Sequence, residues 1–394
     1  MVVYAVDVGG STLKHGDVAG ATYAVSSNCV RVNAKQHTAQ IRRPIERGYV
    51  VNWTLQGDIW QEALTVDPDA TLLLTTPVFT PEKLLHTQDE VVFEEFHMAG
   101  MANVIPQAMV PLTLSSSSPV HVIVDVGFSA THIVPWIDGS IVWAGVRRLN
   151  VGGKLLTNYL KECVSFRQWN MMDSFDLIND VKEAVCRCSL EFDKDMKAYA
   201  TSSGPSTTTS TTTASITPTH PTPLVQQWAL PDFVHSYQGK LVTPTTDLPP
   251  HVQVLRVGVE CFAVPEVLFH PSDIGIDQEG IAGGIADAIA ACPPFVQGLM
   301  YQHIVVTGGS SKFPHFIDRL RVDLRPLVPA EYALHVTLHD DPVGAVWRGC
   351  QAFANTRTFK EEAVVTKEEY MEMGSAALYR WRNKAMTPTH EWKQ

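Results

Sequence analysis

Two aspartates close two apolar runs, and each faces a turn of small residues. The first is VVYAVDVGGSTLKHG at positions 2–16, with Asp7 before Gly9, Gly10 and Ser11 and with Lys14 further on. The second is VHVIVDVGFSATHIV at 120–134, with Asp125 before Gly127, Phe128 and Ser129. A glycine-rich turn behind a buried strand suits a phosphate, because glycine lets the backbone approach closely and aim successive N–H groups at one anion. Lysine adds a point charge for the same phosphate. A hydrogen bond to a charged group is worth roughly 1.5–3 kcal/mol, so two such turns face to face would hold a polyphosphate from both sides. Asp7 and Asp125 would then stand beside a Mg²⁺ and its waters, since a hard cation takes carboxylate oxygens. Either Asp-Val-Gly alone also reads as an ordinary strand exit. Two copies in matching context favour the ligand. A third strand-then-glycine turn, TGGSS at 307–311 with Gly308 and Gly309, completes a candidate nucleotide cleft.

These turns need elements to hold them. The runs 2–8, 71–75, 120–126 and 303–307 are short and β-branched, as buried strands are. Helical periodicity is expected over 89–102, 173–196 and 278–292. Strands interleaved with helices give an α/β fold. At 394 residues the chain is too long for one small core.

Between these elements lies one segment of another kind, TSSGPSTTTSTTTASITPTHPTP at 201–223. It has almost nothing to bury and cannot offset the entropy of ordering, so a disordered insertion spanning about 198–227 is expected. Closing such a loop costs roughly 2 kcal/mol more than a tight turn, which a domain can carry. The tail beyond Tyr379 has no clear fold by pattern. The basic clusters Arg42-Arg43 and Arg380, Arg382, Lys384 read as solvated surface, and Trp53 and Trp60 read as core.

Composition sets outer limits. The chain is 45% hydrophobic and 18% charged, with a formal net charge of −11 and a pI near 5.7. That balance argues against autonomous binding to naked DNA or to anionic lipid. No run approaches a membrane span and the start reads as a strand, so neither membrane insertion nor a signal peptide is expected. Seven scattered cysteines form no zinc spacing; reduced thiols are expected.

The three turns, in this order, resemble those of the superfamily of actin, hexokinase-type sugar kinases and heat-shock chaperone ATPases, in which two duplicated lobes clamp ATP. Narrower marks point to actin: RRPIERGYVVNWTLQGDIW (42–60), VPEVLFHPSDIGI (264–276), VVTGGSSKFPHFIDRL (305–320) and VTKEEYMEMG (365–374). Within that family VGGKLLTNYLKE (151–162) and RQWNMMDSFDLINDVKEAVC (167–186) are most similar to the sixth class of actin-related proteins.

The resemblance implies an actin-like layout. Residues 1–27, 44–118 and 345–394 would form subdomain 1, 28–43 a reduced subdomain 2, 119–151 and 277–344 subdomain 3, and 152–276 subdomain 4 with the insertion. It places Asp7, Gly9, Gly10, Ser11 and Lys14 on the first phosphate loop and Asp125, Gly127 and Ser129 on the second. Gln107 and His132 fall on the positions beside the attacking water, Lys182 and Glu183 on the nucleoside-contacting pair, and Gly308 and Gly309 on the adenosine-side turn. ATP or ADP with Mg²⁺ is the implied cofactor, with Asp7 and Asp125 meeting the metal through water.

Departures qualify this. Phe128 stands where the family has a carboxylate, Val343 and Gly344 where it has a lysine and an aromatic residue, and Asn179 where it has an arginine. Pro106 precedes Gln107, and the segment 16–44 is short. Gln107 and His132 are therefore read as vestigial, any ATP as structural or absent, and filament formation as not expected. The class implies a non-catalytic nuclear scaffold in a Swr/SRCAP-type remodelling complex that exchanges a variant histone, with some cytoplasmic protein. Its partners would be a Swi/Snf-type ATPase, a zinc-finger HIT-type subunit and, through the complex, histones and nucleosomes. A polymerising cytoskeletal ATPase is the alternative, and a sugar kinase a more distant one.

Overall fold

The computed structural model describes residues 2–32, 40–116, 118–202 and 224–386, apart from 233, 235, 244, 247, 250 and 251. It divides into two compact units. The first comprises Met1–Gly153, Ile281–Lys312 and Asp323–Gln394; the second comprises Lys154–Gly280 and Phe313–Val322.

The first unit is built on two six-stranded sheets with one plan. In one sheet Val3–Val8 pairs antiparallel with Thr12–Asp17 as a hairpin, and parallel with Thr71–Thr75, which in turn pairs parallel with Gly100–Val104. In the other, Val120–Val126 pairs antiparallel with Thr131–Ile137, and parallel with Ile304–Thr307, which pairs parallel with Val336–Leu338. Each hairpin thus presents its Asp-Val-Gly turn beside the exit of a parallel strand. Parallel strands covered on both faces are continuously apolar, which is why TLLLT and IVVT are fully buried.

One core cluster joins the two sheets. Ala5 and Leu73 from the first and Ile123 and Val305 from the second pack with Trp347, Cys350 and Phe353 of the helix Ala345–Ala354. Trp347 Nε1 donates to the carbonyl of Ala5 at 3.2 Å. The opposite face of the first sheet, Val6, Leu72 and Leu74, packs on Trp60 and Phe93. Trp53 lies edge-on to Trp60 with centroids 5.8 Å apart. Successive residues of a strand point to opposite faces, so one short strand feeds both clusters.

The second unit holds the helices Gly153–Arg167, Phe175–Val185 and Phe192–Ser202 and a three-stranded sheet of Lys240–Leu241, Gln226–Ala229 and Val254–Val257. Its buried ion pair joins Arg319 to Glu266 through bonds of 2.7 and 2.8 Å.

Several expectations need correction. The run 89–102 is not one helix: Glu82–Glu90 is α-helical, Val91–Glu95 is a π-turn, and Gly100–Val104 is a strand. A short apolar run does not by itself distinguish strand from helix. The run 173–196 breaks at Cys186, whose backbone is extended. There the chain bonds outward, Arg187 N to the Cys261 carbonyl and Cys188 N to the Pro314 carbonyl, and tertiary hydrogen bonds override helical propensity. The helix Phe192–Ser202 and the strand Gln226–Ala229 narrow the 198–227 insertion; its residues 203–223 lie outside the described residues. The tail is not unstructured throughout: Ala376–Met386 is helical, and residues 387–394 lie outside the described residues. Arg382 is not solvated surface. It is 3% exposed and makes a two-pronged pair with Asp89. All seven cysteines are free thiols, five of them buried. Among the described residues, no helix is long and apolar enough to cross a membrane.

Candidate nucleotide site

The first turn begins where Asp7 faces Lys14 across the hairpin. Lys14 Nζ lies 3.4 Å from Asp7 Oδ2. Thr75, at the exit of the neighbouring strand, donates from Oγ1 to Asp7 Oδ1 at 3.0 Å and accepts from Val8 N at 2.9 Å. The turn is braced from behind by Asn28, whose Nδ2 donates to the Gly9 carbonyl at 2.9 Å and whose backbone N–H donates to that of Ser11. Asn28 is in turn held by Gln56, with both amides buried. Sequence reading missed Thr75, Asn28 and Gln56. Thr75 carried a usable signal, since it ends a buried strand parallel to the first hairpin; a lone Asn and a lone Gln carried none.

Gly10 marks where the two turns meet. A β-carbon there would lie 2.3 Å from Ser129 Oγ of the second turn, so any side chain at this position would oblige the Ser129 hydroxyl to move. Beside this contact Phe128 lies under the guanidinium of Arg43, whose carbon is 4.9 Å from the ring centroid. Arg43 Nη1 also reaches the Gly10 carbonyl at 3.5 Å.

Behind the second turn stands a polar cluster centred on Asp125. Gln107 Nε2 donates to Asp125 Oδ2 at 2.8 Å. His132 and Thr307 occupy the registers opposite Asp125 on its two neighbouring strands. Burial pushes the Asp125 carboxyl up to about 6; Asp7 adds to the rise, while the Gln107 bond and Lys14 oppose it. Burial likewise pushes His132 down to about 4, with the charge of Arg148 adding to the fall, so its imidazole is neutral at pH 7. Three buried atoms here have no protein partner: Gln107 Oε1, His132 Nε2 and Thr307 Oγ1. Buried polar atoms are paired in the great majority of cases. This group therefore fits water or a ligand oxygen.

The third turn is tied to the second. Gly308 adopts φ +90°, and a β-carbon on it would lie 2.4 Å from the Val126 carbonyl and 2.7 Å from Asp125 Oδ1. Ser310 Oγ donates to the Gly127 carbonyl at 3.3 Å. Gly309, by contrast, faces open space. Near this turn Gly344 leaves room for an aromatic ring from elsewhere. A β-carbon on Gly344 would meet Tyr23 Oη at 2.2 Å, and Tyr23 is held by Asp341, which also accepts from Arg348 Nε at 2.8 Å. The aromatic residue expected but missing at 344 is thus replaced in space by Tyr23.

In the second unit Lys182 is 3% exposed. Its Nζ donates to Thr157 Oγ1 at 2.9 Å and to Asn179 Oδ1 at 2.8 Å. Asn179 Nδ2 donates onward to Glu183 Oε1 at 2.8 Å. Asn179 therefore links Lys182 to the exposed Glu183, which an arginine could not do, having no acceptor. Burial lowers the Lys182 pKa.

The first unit thus gathers Asp7, Gly9, Gly10, Ser11, Lys14, Gln107, Asp125, Gly127, Ser129, His132, Gly308 and Gly309 around three linked turns. Lys182 and Glu183 form a separate cluster in the second unit. Glycine turns and a lysine are parts that could serve an anion, and the orphaned Thr307 Oγ1 can donate to one, whereas Gln107 Oε1 only accepts and suits a water. Among the described residues no group of three or more His, Cys, Asp or Glu side chains could hold a metal ion.

Comparison with known proteins places this arrangement. The family model for actin matches residues 7–382. The protein called actin-related protein 6 in Oryza sativa is 36% identical over 376 residues, covering 85% of this chain and 84% of its own. That of Arabidopsis thaliana is 35% identical, covering 87% and 86%. The actin-like protein ARP6 of Yarrowia lipolytica is 37% identical, covering 84% and 82%. With its paired hairpin sheets and three linked glycine turns, the chain belongs to the actin family, in the group of actin-related protein 6.

Proposed function

We propose that this protein is a non-catalytic, actin-like scaffold subunit of a nuclear Swr/SRCAP-type chromatin-remodelling complex, and that a nucleotide in its glycine-turn site serves to stabilise the fold. The observation that carries the reading is Phe128. It puts an apolar ring under Arg43 at the tip of the second turn, where the family pattern has a carboxylate. Losing one group that positions water or stabilises charge typically costs about 10²–10³ in rate. Burial pushes His132 down to about 4, which makes its neutral imidazole a weak proton acceptor.

In this reading Gly9, Gly10, Ser11, Gly127 and Ser129 cradle phosphates, Lys14 neutralises them, and Gly308 and Gly309 border the nucleoside. When bound, ATP or ADP supplies binding energy alone. A ligand at a hundredfold excess over its Kd stabilises the native state by about 2.7 kcal/mol. The net charge of −11 suits contact with basic histone-bearing assemblies rather than with bare DNA.

The test is affinity purification of the tagged chain from nuclear extract, with partners identified by mass spectrometry. Recovery of a Swi/Snf-type ATPase, a zinc-finger HIT-type subunit and RuvB-like ATPases is expected. Recovery with cytoskeletal proteins and none of these, or pelleting of the pure chain in Mg-ATP above a critical concentration, would overturn the scaffold reading.

A further inference from the structure

A cavity in the first unit lies against the two strand exits at Val8 and Thr75. Trp53 and Trp60 of the helix Trp53–Ala63, Leu74, and Leu84 of Glu82–Glu90 complete its apolar wall. The sequence dictates that wall. Leu74 belongs to the fully buried strand TLLLT, and the two tryptophans, at i and i+7, fall on one face of their helix. Among the described residues that line the cavity, none carries a charge.

Two donors of this wall have no protein acceptor. The indole Nε1 atoms of Trp53 and Trp60 are both buried and both unpaired, and Trp60 as a whole is 1% exposed. A buried indole N–H ordinarily finds an acceptor. The other polar side chains of the wall are engaged with the protein. Tyr49 Oη donates to the Val78 carbonyl at 3.3 Å, Thr80 Oγ1 to the Pro77 carbonyl at 2.6 Å and Thr75 Oγ1 to Asp7 Oδ1 at 3.0 Å. Thr76 and Gln88 both meet the Asn103 side chain. An uncharged, mainly apolar cavity with a few polar groups suits a small neutral molecule. The two indole N–H groups call for an oxygen on it.

We propose that this cavity binds a small uncharged apolar molecule carrying a hydrogen-bond acceptor, held by the indole N–H groups of Trp53 and Trp60, and that Thr75 transmits its presence to the first glycine turn. Thr75 lines the cavity, and its Oγ1 accepts from Val8 N at 2.9 Å while donating to Asp7. A ligand that shifts this side chain therefore shifts the entry to Gly9 and Gly10.

The test is an NMR titration of the full-length chain, uniformly labelled with nitrogen-15 and without nucleotide. Cyclohexanone is the probe, and methylcyclohexane, similar in shape but without an acceptor, is the comparison. Trp53→Phe and Trp60→Phe assign the two indole N–H resonances. Cyclohexanone is expected to move both indole protons downfield to saturation, and to bind about 3- to 10-fold more tightly than methylcyclohexane, as one net hydrogen bond implies. The backbone amides of Val8, Gly9 and Gly10 should move along the same curve, and Thr75→Val should hold them still while the indoles shift as before. Leu84→Phe, at a half-buried position of the wall, should fill the cavity and abolish the response with thermal melting unchanged; should that variant not fold, the wild-type comparison of the two probes decides alone. No saturable shift of the two indoles up to the solubility limit of cyclohexanone would leave them to water and overturn the site. Equal affinity for the two probes would overturn the part given to the indole N–H groups, and indole shifts with stationary Val8, Gly9 and Gly10 amides would overturn the coupling.

Discussion

Arg382 offers the sharpest test of how the chain closes its first unit. It sits on the helix Ala376–Met386, and its guanidinium meets Asp89 of Glu82–Glu90 with Nη1–Oδ2 at 2.8 Å and Nη2–Oδ1 at 2.5 Å. Asp89 is 0% exposed and Arg382 3%. The neighbouring Trp381 donates to the Asn103 carbonyl at 2.7 Å and stacks on Phe353, so the helix is docked on the strand Gly100–Val104 as well. Arg382→Ala would leave a carboxylate buried without its partner. Removing one member of a buried pair typically costs about 3–5 kcal/mol, whereas replacing both by apolar residues is often neutral or stabilising. With a urea slope of about 2–3 kcal/mol per molar, Arg382→Ala should lower the midpoint by about 1–2 M. The double variant Asp89→Leu/Arg382→Met should return close to wild type. Limited trypsin digestion should meanwhile clip Arg382→Ala after Arg380, where the wild type is protected. A midpoint shift under about 0.3 M for Arg382→Ala, or a double variant no better than the worse single, would refute the claim that this pair is dry and closes the core.

Three further outcomes are expected. Gly308→Ala should destabilise by at least about 3 kcal/mol in urea titration, because φ is +90° and the new methyl would lie 2.4 Å from the Val126 carbonyl; left-handed backbone alone costs non-glycine residues about 1–2 kcal/mol. Gly344→Ala should destabilise by about 1–3 kcal/mol from overpacking, and by less in a Tyr23→Ala background, since the tyrosine hydroxyl occupies the space; equal effects in both backgrounds would remove Tyr23 from the account. The pH dependence separates the two buried titrating groups. His132 binds its proton near 4 when folded, against 6.5 as its ordinary value, so its contribution to stability grows as pH rises from 4 to 6.5. Asp125 holds its proton to about 6 against an ordinary 3.8, so its contribution is present below 3.8 and is lost as pH rises through 6. The two slopes oppose each other between 4 and 6. His132→Gln removes the rise alone. The change in unfolding free energy between pH 4 and 6.5 should then be about 3 kcal/mol less favourable to high pH than in wild type, and parallel wild-type and variant profiles would contradict the buried, neutral histidine.

Much of this protein is written in local pattern. The strands 71–75 and 120–126 coincide with their apolar runs because a covered strand needs continuous apolar residues. The glycine turns were legible because positions that need close backbone approach accept little besides glycine, and Gly308 bears that out with φ +90° and a 2.4 Å contact to a backbone carbonyl for any added β-carbon. What pattern could not reach depends on partners far along the chain. The break at Cys186 is made by bonds to residues 261 and 314. The burial of Arg382 depends on a carboxylate 293 positions away, and a basic residue near the end of a polar segment gives no local sign of it. Tyr23 fills the gap at Gly344, and Arg43 covers Phe128, through contacts between segments whose spacing carries no period. Local sequence fixes which backbone shapes are affordable, and it determined the strands, the turns and the family. Only the tertiary structure decided which charges are buried and which are paired, because desolvation and pairing are properties of the assembled surroundings and not of a residue or its neighbours in sequence.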